Sequence, residues 1–196
     1  MNWPKIGFVA LVLFGALHWW SGREVSLPPG VVAASLPVQA SVAGEREFER
    51  NGYRIHALAR FEISARVLGT EHYRLDREAR LSPVDLALGW GRMSDTAVLE
   101  RIRITQSGRF YYWSTDDFPI PRREIETSSA NMHMIPADER VEAALKAIRK
   151  GQTVIVRGYL VEARGADGWR WRSSLTREDT GAGACELIWV ESVSTI

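Results

Sequence analysis

Residues 53–68 alternate in polarity. The odd positions, Tyr53, Ile55, Ala57, Ala59, Phe61, Ile63, Ala65 and Val67, are apolar or aromatic. Six of the eight even positions are polar: Arg54, His56, Arg60, Glu62, Ser64 and Arg66. Side chains of a strand point to opposite faces in turn, so alternation of this length requires β-structure with one buried face. At about 3.3 Å per residue the run would extend about 50 Å, far beyond an average strand. It is therefore expected to bend at a bulge, as in a small barrel, or to split into two strands.

The best helix spans residues 137–150. Val141, Ala144, Leu145 and Ile148 form one apolar stripe. Asp138 and Glu139 suit its start, Arg149 and Lys150 its end, and Gly151 stops it. Ser82-Pro83-Val84-Asp85 reads as the capped start of a short helix that Gly89-Trp90-Gly91 ends. Ser94-Asp95 caps a further turn through Leu99. Ile102 and Ile104 alternate with Arg101 and Arg103, Ser107-Gly108 marks a turn, and residues 109–113 are aromatic, which together predict a hairpin. Residues 125–135 read as an irregular strand, 153–163 as a strand broken at Gly158, 169–175 as an alternating strand, and 185–193 as the last strand.

From Ile102 to Val193 the order is strands, one helix, then strands, with Gly151 to Gly158 opening the strand after the helix. This order resembles the OB-fold, in which a helix sits between the third and fourth strands of a closed barrel. The resemblance is topological and implies ligand binding as an expectation. The fold class expected is α+β: an N-terminal transmembrane helix, then a strongly bent antiparallel β-sheet or OB-like barrel with one main helix at about 137–150.

The transmembrane expectation rests on residues 3–20. No charge falls between Lys5 and Trp20, and Trp3 at one end and Trp19 and Trp20 at the other suit the two membrane–water interfaces. The length is adequate for a span, whose lower limit is about 17 residues. Ser21, Gly22, Arg23 and Glu24 follow without a small-x-small cleavage site, which favours an uncleaved signal anchor over a cleaved signal peptide. Lys5 and the amino terminus place the short end in the cytoplasm and residues 49–196 outside it, at the bacterial inner membrane. Residues 21–48, with Pro28-Pro29-Gly30 and Pro37, read as a flexible linker holding an extracytoplasmic domain close to the bilayer.

Residues 45–196 carry 23 basic and 23 acidic side chains, a balance that argues against a general nucleic-acid binder. The one cysteine, Cys185, permits no disulfide within the chain. Such a domain is held by its core alone.

Four groups of residues bear on chemistry. Cys185, His133 and Asn131 contain the residue types of a nucleophile, a base and an orienter, although a buried thiol and a hydrogen-bonded histidine account for them more simply. Asp179-Thr180-Gly181 resembles the aspartic peptidase triplet, but Thr176, Arg177 and Glu178 replace the apolar strand that should precede it, so a turn is the preferred reading. Arg101, Arg103, Arg109, Tyr111 and Trp113, with Arg122 and Arg123 following, form an arginine-aromatic hairpin suited to a protein partner, to anionic lipid, or to bases and sugars. His56, His72 and His133 lack metal-ligand spacing, so neither a metal nor a cofactor is expected. The reading is a membrane-anchored binding or assembly module, with the lipid bilayer and a membrane or periplasmic protein, a second copy included, as partners. The alternatives are a membrane-tethered hydrolase using Cys185 and His133, and an OB-like oligosaccharide or nucleic-acid binder.

Overall fold

The computed structural model describes residues 7–8, 23–176 and 185–196. The membrane-anchor residues Trp3, Trp19 and Trp20, and the Asp179 triplet, lie outside the described residues. Among those described, no helix is long and apolar enough to cross a membrane. The described residues are mostly β-sheet, with ten strands and short helices among them.

The alternating run forms one strand, β3 (Tyr53–His72). It continues past the alternation and bends twice. Its register against β8 (Thr153–Arg164) slips between Ala57 and Ala59, and its register against β4 (Val84–Gly89) slips between Val67 and Gly69. The residues skipped are Leu58 and Leu68, the two apolar side chains that interrupt the polar even positions. Each break in the alternation is thus a bulge, where one extra residue is accommodated and the strand coils.

The Leu58 bulge moves the odd side chains from one face to the other. Before it, Tyr53 and Ile55 pack with Leu81, Tyr159, Val161, Ala163, Leu187 and Trp189. After it, Phe61, Ile63, Ala65 and Val67 enter the main core. A slip of one residue inverts the faces of a strand, so one apolar stripe supplies two cores.

The main core fills a closed barrel. β3 pairs with β4, β4 with β7 (Ser129–Pro136), β7 with β10 (Glu186–Thr195), β10 with β8, and β8 again with β3. All these pairs are antiparallel except β7 with β10. The helix α3 (Glu139–Lys146) lies between β7 and β8 and sends Val141 and Leu145 into the barrel core. Asp138 caps it by accepting from the backbone N–H of Val141 at 2.7 Å. It is shorter than the 137–150 expected, although Ile148 beyond it still reaches the core.

Residues 82–91 depart from expectation: the supposed helix is β4. Val-Asp-Leu-Ala-Leu-Gly is buried at all six positions. A short run covered on both faces has no amphipathic period, so its sequence does not separate strand from helix. The barrel faces of Val84, Leu86 and Leu88, and a cover on the other side, decide for the strand. Residues 125–135 also differ, because a short helix, α2 (Arg122–Thr127), precedes β7. The strand expected at 169–175 reduces to β9 (Arg170–Arg172), and Gly158 does not break β8.

Residues 91–128 are a long insertion between β4 and β7. They contain α1 (Thr96–Leu99), capped by Asp95 as expected, the hairpin β5 (Arg103–Ser107) and β6 (Phe110–Ser114), and α2. Met93, Ile102, Ile120 and Ile125 form a third core with Ala87 and Leu68. The insertion is therefore folded onto the outside of the barrel.

The segment expected as a flexible linker is laid along the domain from residue 23. Val25 N–H donates to the Lys150 carbonyl at 2.9 Å, and Ala33, 3% exposed, is held by the Ser94 hydroxyl at 3.1 Å. The short strands β1 (Val38–Ala40) and β2 (Glu47–Arg50) both pair with β3. Proline and small residues gave this stretch no period, yet an extended chain needs none to fill the backbone hydrogen bonds of an open strand edge.

Candidate functional site: the covered face of β4 and β7

Alternation along β4 and β7 sends Val84, Leu86, Met132 and Met134 into the barrel and leaves Asp85, Asn131 and His133 on its outer wall. Asp85 stands directly opposite His133 in the ladder. These polar side chains are nevertheless buried, with Asp85 at 0% and His133 at 2% exposure. The hairpin β5–β6 covers them.

The hairpin reaches this face through its tip. Gly108 and Arg109 both have positive φ, 58° and 71°, in a two-residue turn between the paired Ser107 and Phe110. Such turns suit the twist of a hairpin but strain any residue other than glycine or asparagine. Arg109 occupies the strained place and is held from several sides. Its Nη1 donates to Asp85 Oδ1 at 3.0 Å and to the Ser82 carbonyl at 2.8 Å, and its Nη2 donates to Asp76 Oδ1 at 2.8 Å. Its backbone N–H donates to the Tyr73 hydroxyl at 3.1 Å, and the guanidinium lies 3.6 Å from the centre of the Tyr73 ring. Burial, helped by the charge of Asp85, pushes the Tyr73 phenol up to about 12, so it stays neutral at physiological pH.

A second row of contacts completes the pin. Gln106 donates to Asn131 Oδ1 at 2.8 Å, and Asn131 Nδ2 donates to the Arg109 carbonyl at 3.0 Å. Gly69 makes room for this: a Cβ there would lie 2.3 Å from Gln106 Oε1. His133 Nδ1 sits 2.9 Å from Asp85 Oδ2, a close contact that falls short of hydrogen-bond alignment. The Trp171 ring closes over the imidazole at 4.7 Å between centres.

The residues expected to act together are divided by this arrangement. Asn131, His133 and Arg109 meet, but around Asp85, which sequence reasoning had placed at a helix start. Cys185 is partly exposed and precedes β10, in which Glu186 is level with Met132 and Leu187 with His133. The Tyr111 hydroxyl is committed to Ser129, and burial raises its pKa. Arg101 pairs with Asp117, and the half-buried Trp113 meets Phe118 edge-on. Arg103, Phe110 and Tyr112 face outward, with Phe110 39%, Tyr112 56% and nearby Phe118 50% exposed. Among the described residues no group of three or more His, Cys, Asp or Glu is arranged to hold a metal ion.

One further charged cluster lies where β3, β8 and β9 extend beyond the barrel. Glu162, 1% exposed, accepts from Arg164 Nε at 2.5 Å and from Arg170 and Arg172, whose side chains are about half exposed. Burial pushes its carboxyl up, but the hydrogen bonds of Arg170, Arg172 and Arg164 outweigh that and bring it to about 2.

No family model matches the chain, and neither a curated protein nor a solved structure matches it.

Two outcomes follow from this geometry. Arg109→Ala is expected to cost about 3–5 kcal/mol, because it leaves the Asp85 carboxylate buried without a cation. A double-mutant cycle with Asp85→Ala in denaturant titrations measures this, and additive losses would contradict the pin. Glu162 has a depressed folded-state pKa, so its contribution is complete above the ordinary value of 4.5 and lost as pH falls toward about 2. The stability difference between wild type and Glu162→Gln should therefore shrink across that window in urea midpoints, and parallel curves would exclude the effect.

Proposed function

We propose that this chain is a membrane-anchored extracytoplasmic binding or assembly module without catalytic activity, built on an OB-like barrel. The barrel order supports the fold reading. With β3, β4, β7, β8 and β10 as first to fifth strands, neighbours run first, second, third, fifth, fourth and back to first. The helix lies between the third and fourth, as in the OB arrangement. The apolar, tryptophan-flanked residues 3–20 support the anchor.

The observation that carries the binding reading is the hairpin. OB barrels bind oligonucleotides and oligosaccharides on the face of their second and third strands. In this chain that face is β4 and β7, and the Arg109–Asp85 pin seals it with β5–β6. A ligand groove there is closed, while a fixed ribbon presents Phe110, Tyr112 and Phe118 to solvent beside Arg103. Exposed aromatics with an arginine are the composition of protein interface cores. The balanced charge of residues 45–196 disfavours nucleic acid, so the partner is a membrane or periplasmic protein, a second copy of this chain included.

A second reading, a membrane-tethered hydrolase using Cys185 and His133, gains one specific observation: the Asp85 carboxylate lies beside Nδ1 of His133, where a catalytic base is usually oriented. Folded Cys185→Ala and His133→Ala variants that retain the cellular phenotype remove it.

Photo-cross-linking in membranes tests the module. Reactive residues at positions 112 and 118 should capture one partner, whereas one at the exposed Arg140 on α3 should not. Tyr112→Asp should abolish capture at 118 without moving the melting midpoint. Equal labelling from all three positions, or none from 112 and 118, would overturn the hairpin interface. A topology reporter fused after Ile196 that is active only in the cytoplasm would overturn the location.

A further inference from the structure

Arg66 is on the outer face of β3 and is 5% exposed. Its neighbours in the ladder are Gly89 on β4 and Thr153 on β8, and the insertion folds over it. Its Nη1 donates to the Ser94 carbonyl at 3.2 Å and to Thr96 Oγ1 at 2.6 Å. Both bonds leave from the same nitrogen, so the donors on Nε and Nη2 remain for another acceptor. Among the described residues it has no ion pair. The two acids whose charges act on it are engaged elsewhere: Glu24 with Lys150 Nζ at 3.1 Å, and Asp95 with the backbone N–H groups of Gly30 and Ala97. Burial lowers the Arg66 pKa, and the charges of Glu24 and Asp95 counter this only in part.

A buried cation with no carboxylate in direct contact is costly, and a guanidinium with free donors recruits a carboxylate or phosphate readily. Beside Arg66 is a cavity of about 430 Å³, within the 300–1,000 Å³ or so of small-molecule sites. Val67, Leu68, Leu99, Ile102 and Ile104 give it an aliphatic stretch, and Thr96 and Glu100 are the polar side chains among them. Glu24 and Ser26, just after the apolar run of residues 3–20, and Lys150 also line it.

We propose that this cavity binds a small amphipathic anion, with its carboxylate or phosphate head on Arg66 and its apolar tail along Leu99, Ile102 and Ile104. The lining supplies both tasks: a buried guanidinium for the head and aliphatic side chains for the tail. Ile104 points inward from the hairpin while Arg103, Phe110 and Tyr112 face outward, so the two readings use opposite faces and are tested by different variants. Only the source of the ligand depends on the anchor. An anchored chain would hold Glu24 and Ser26, and with them this cavity, near the bilayer, where lipid heads supply the same chemistry as a soluble amphiphile.

The test uses the full chain in phosphatidylcholine nanodiscs, titrated with hexyl phosphate, hexanol and inorganic phosphate, and read by methyl NMR shifts of Leu99, Ile102 and Ile104. Hexyl phosphate should bind at least about tenfold more tightly than either half-ligand. Arg66→Gln should erase its advantage over hexanol. Leu99→Trp, which fills the cavity but leaves the bonds from Arg66 to Ser94 and Thr96, should abolish binding and keeps the test open if Arg66→Gln fails to fold. Equal binding of hexyl phosphate and hexanol, equal binding of hexyl phosphate and inorganic phosphate, or a folded Arg66→Gln chain with unchanged affinity would each overturn the proposal. Nanodiscs containing anionic phosphatidylglycerol identify the source: the same shifts without added probe indicate a bilayer lipid, and their absence, with hexyl phosphate still binding, indicates a soluble amphiphile.

Discussion

The pairing of β3 with β8 is the constraint on which the rest of the domain depends. Twelve residues of β3 lie opposite β8, and this ladder closes the barrel. Closure needs strands that coil, and coiling here is concentrated at the Leu58 bulge. Without the extra residue, Tyr53 and Ile55 would continue on the barrel's inner side and the outer core around Trp189 would lose one wall. Phe61 and Ile63, each 1% exposed, would still need the interior. Burying a side chain of this size stabilises by about 1.5–3 kcal/mol, so neither core can be surrendered cheaply. The bulge lets both exist on one strand.

Closure also creates the problem that the insertion solves. The outer wall of β4 and β7 carries Ala87 and Ile135, but also Asp85, Asn131 and His133. A wall of mixed polarity can be wetted or covered. Covering it requires that each polar group find a partner, because an unmatched buried carboxylate costs several kcal/mol. Arg109 partners Asp85 and Gln106 partners Asn131, while the Tyr73 hydroxyl accepts from the Arg109 backbone and steadies the hairpin tip. Apolar contacts around Ile102 and Ile125 supply the adhesion of the insertion, whereas the polar pin fixes where the hairpin tip lands. The strain at Arg109 is tolerable because so many contacts converge on one side chain.

Much of this was legible in the residues. The bent strand, the hairpin, the Asp95-capped turn and the helix before β8 follow from alternation, turn glycines and apolar stripes. What escaped was decided by burial on both faces. The run from Val84 to Gly89 carries no period because the barrel covers one side and the insertion the other. Asp85 was consequently read as a capping residue, and the partner of His133 was missed. Gly69 and Gly89 are sequence traces of the covered face, strand glycines marking a close approach, but they do not name Gln106 and the Met93 backbone as the groups that approach. In the same way Arg66 looked like one more solvated position of the alternation, since nothing local announces that residues 94–104 fold back over it.

Arg66 and Arg109 invite a direct comparison. Both guanidinium groups are buried where the insertion meets the outer wall of the barrel, Arg66 from the wall and Arg109 from the insertion, and both donate to a backbone carbonyl. Arg109 also meets Asp85 and Asp76 within 3.0 Å and is stacked on Tyr73. Its charge is answered within the protein, and its role is to hold the hairpin. Arg66 has a hydroxyl and a carbonyl instead of a carboxylate, with an aliphatic cavity beside it in place of an aromatic ring. The desolvation of a charge is the same physical cost at both places, so a fold that meets it at one and leaves it open at the other distinguishes the two. At Arg109 the counter-charge is in direct contact and belongs to the chain; at Arg66 no carboxylate of the described residues is in contact, and a cavity lies beside the guanidinium.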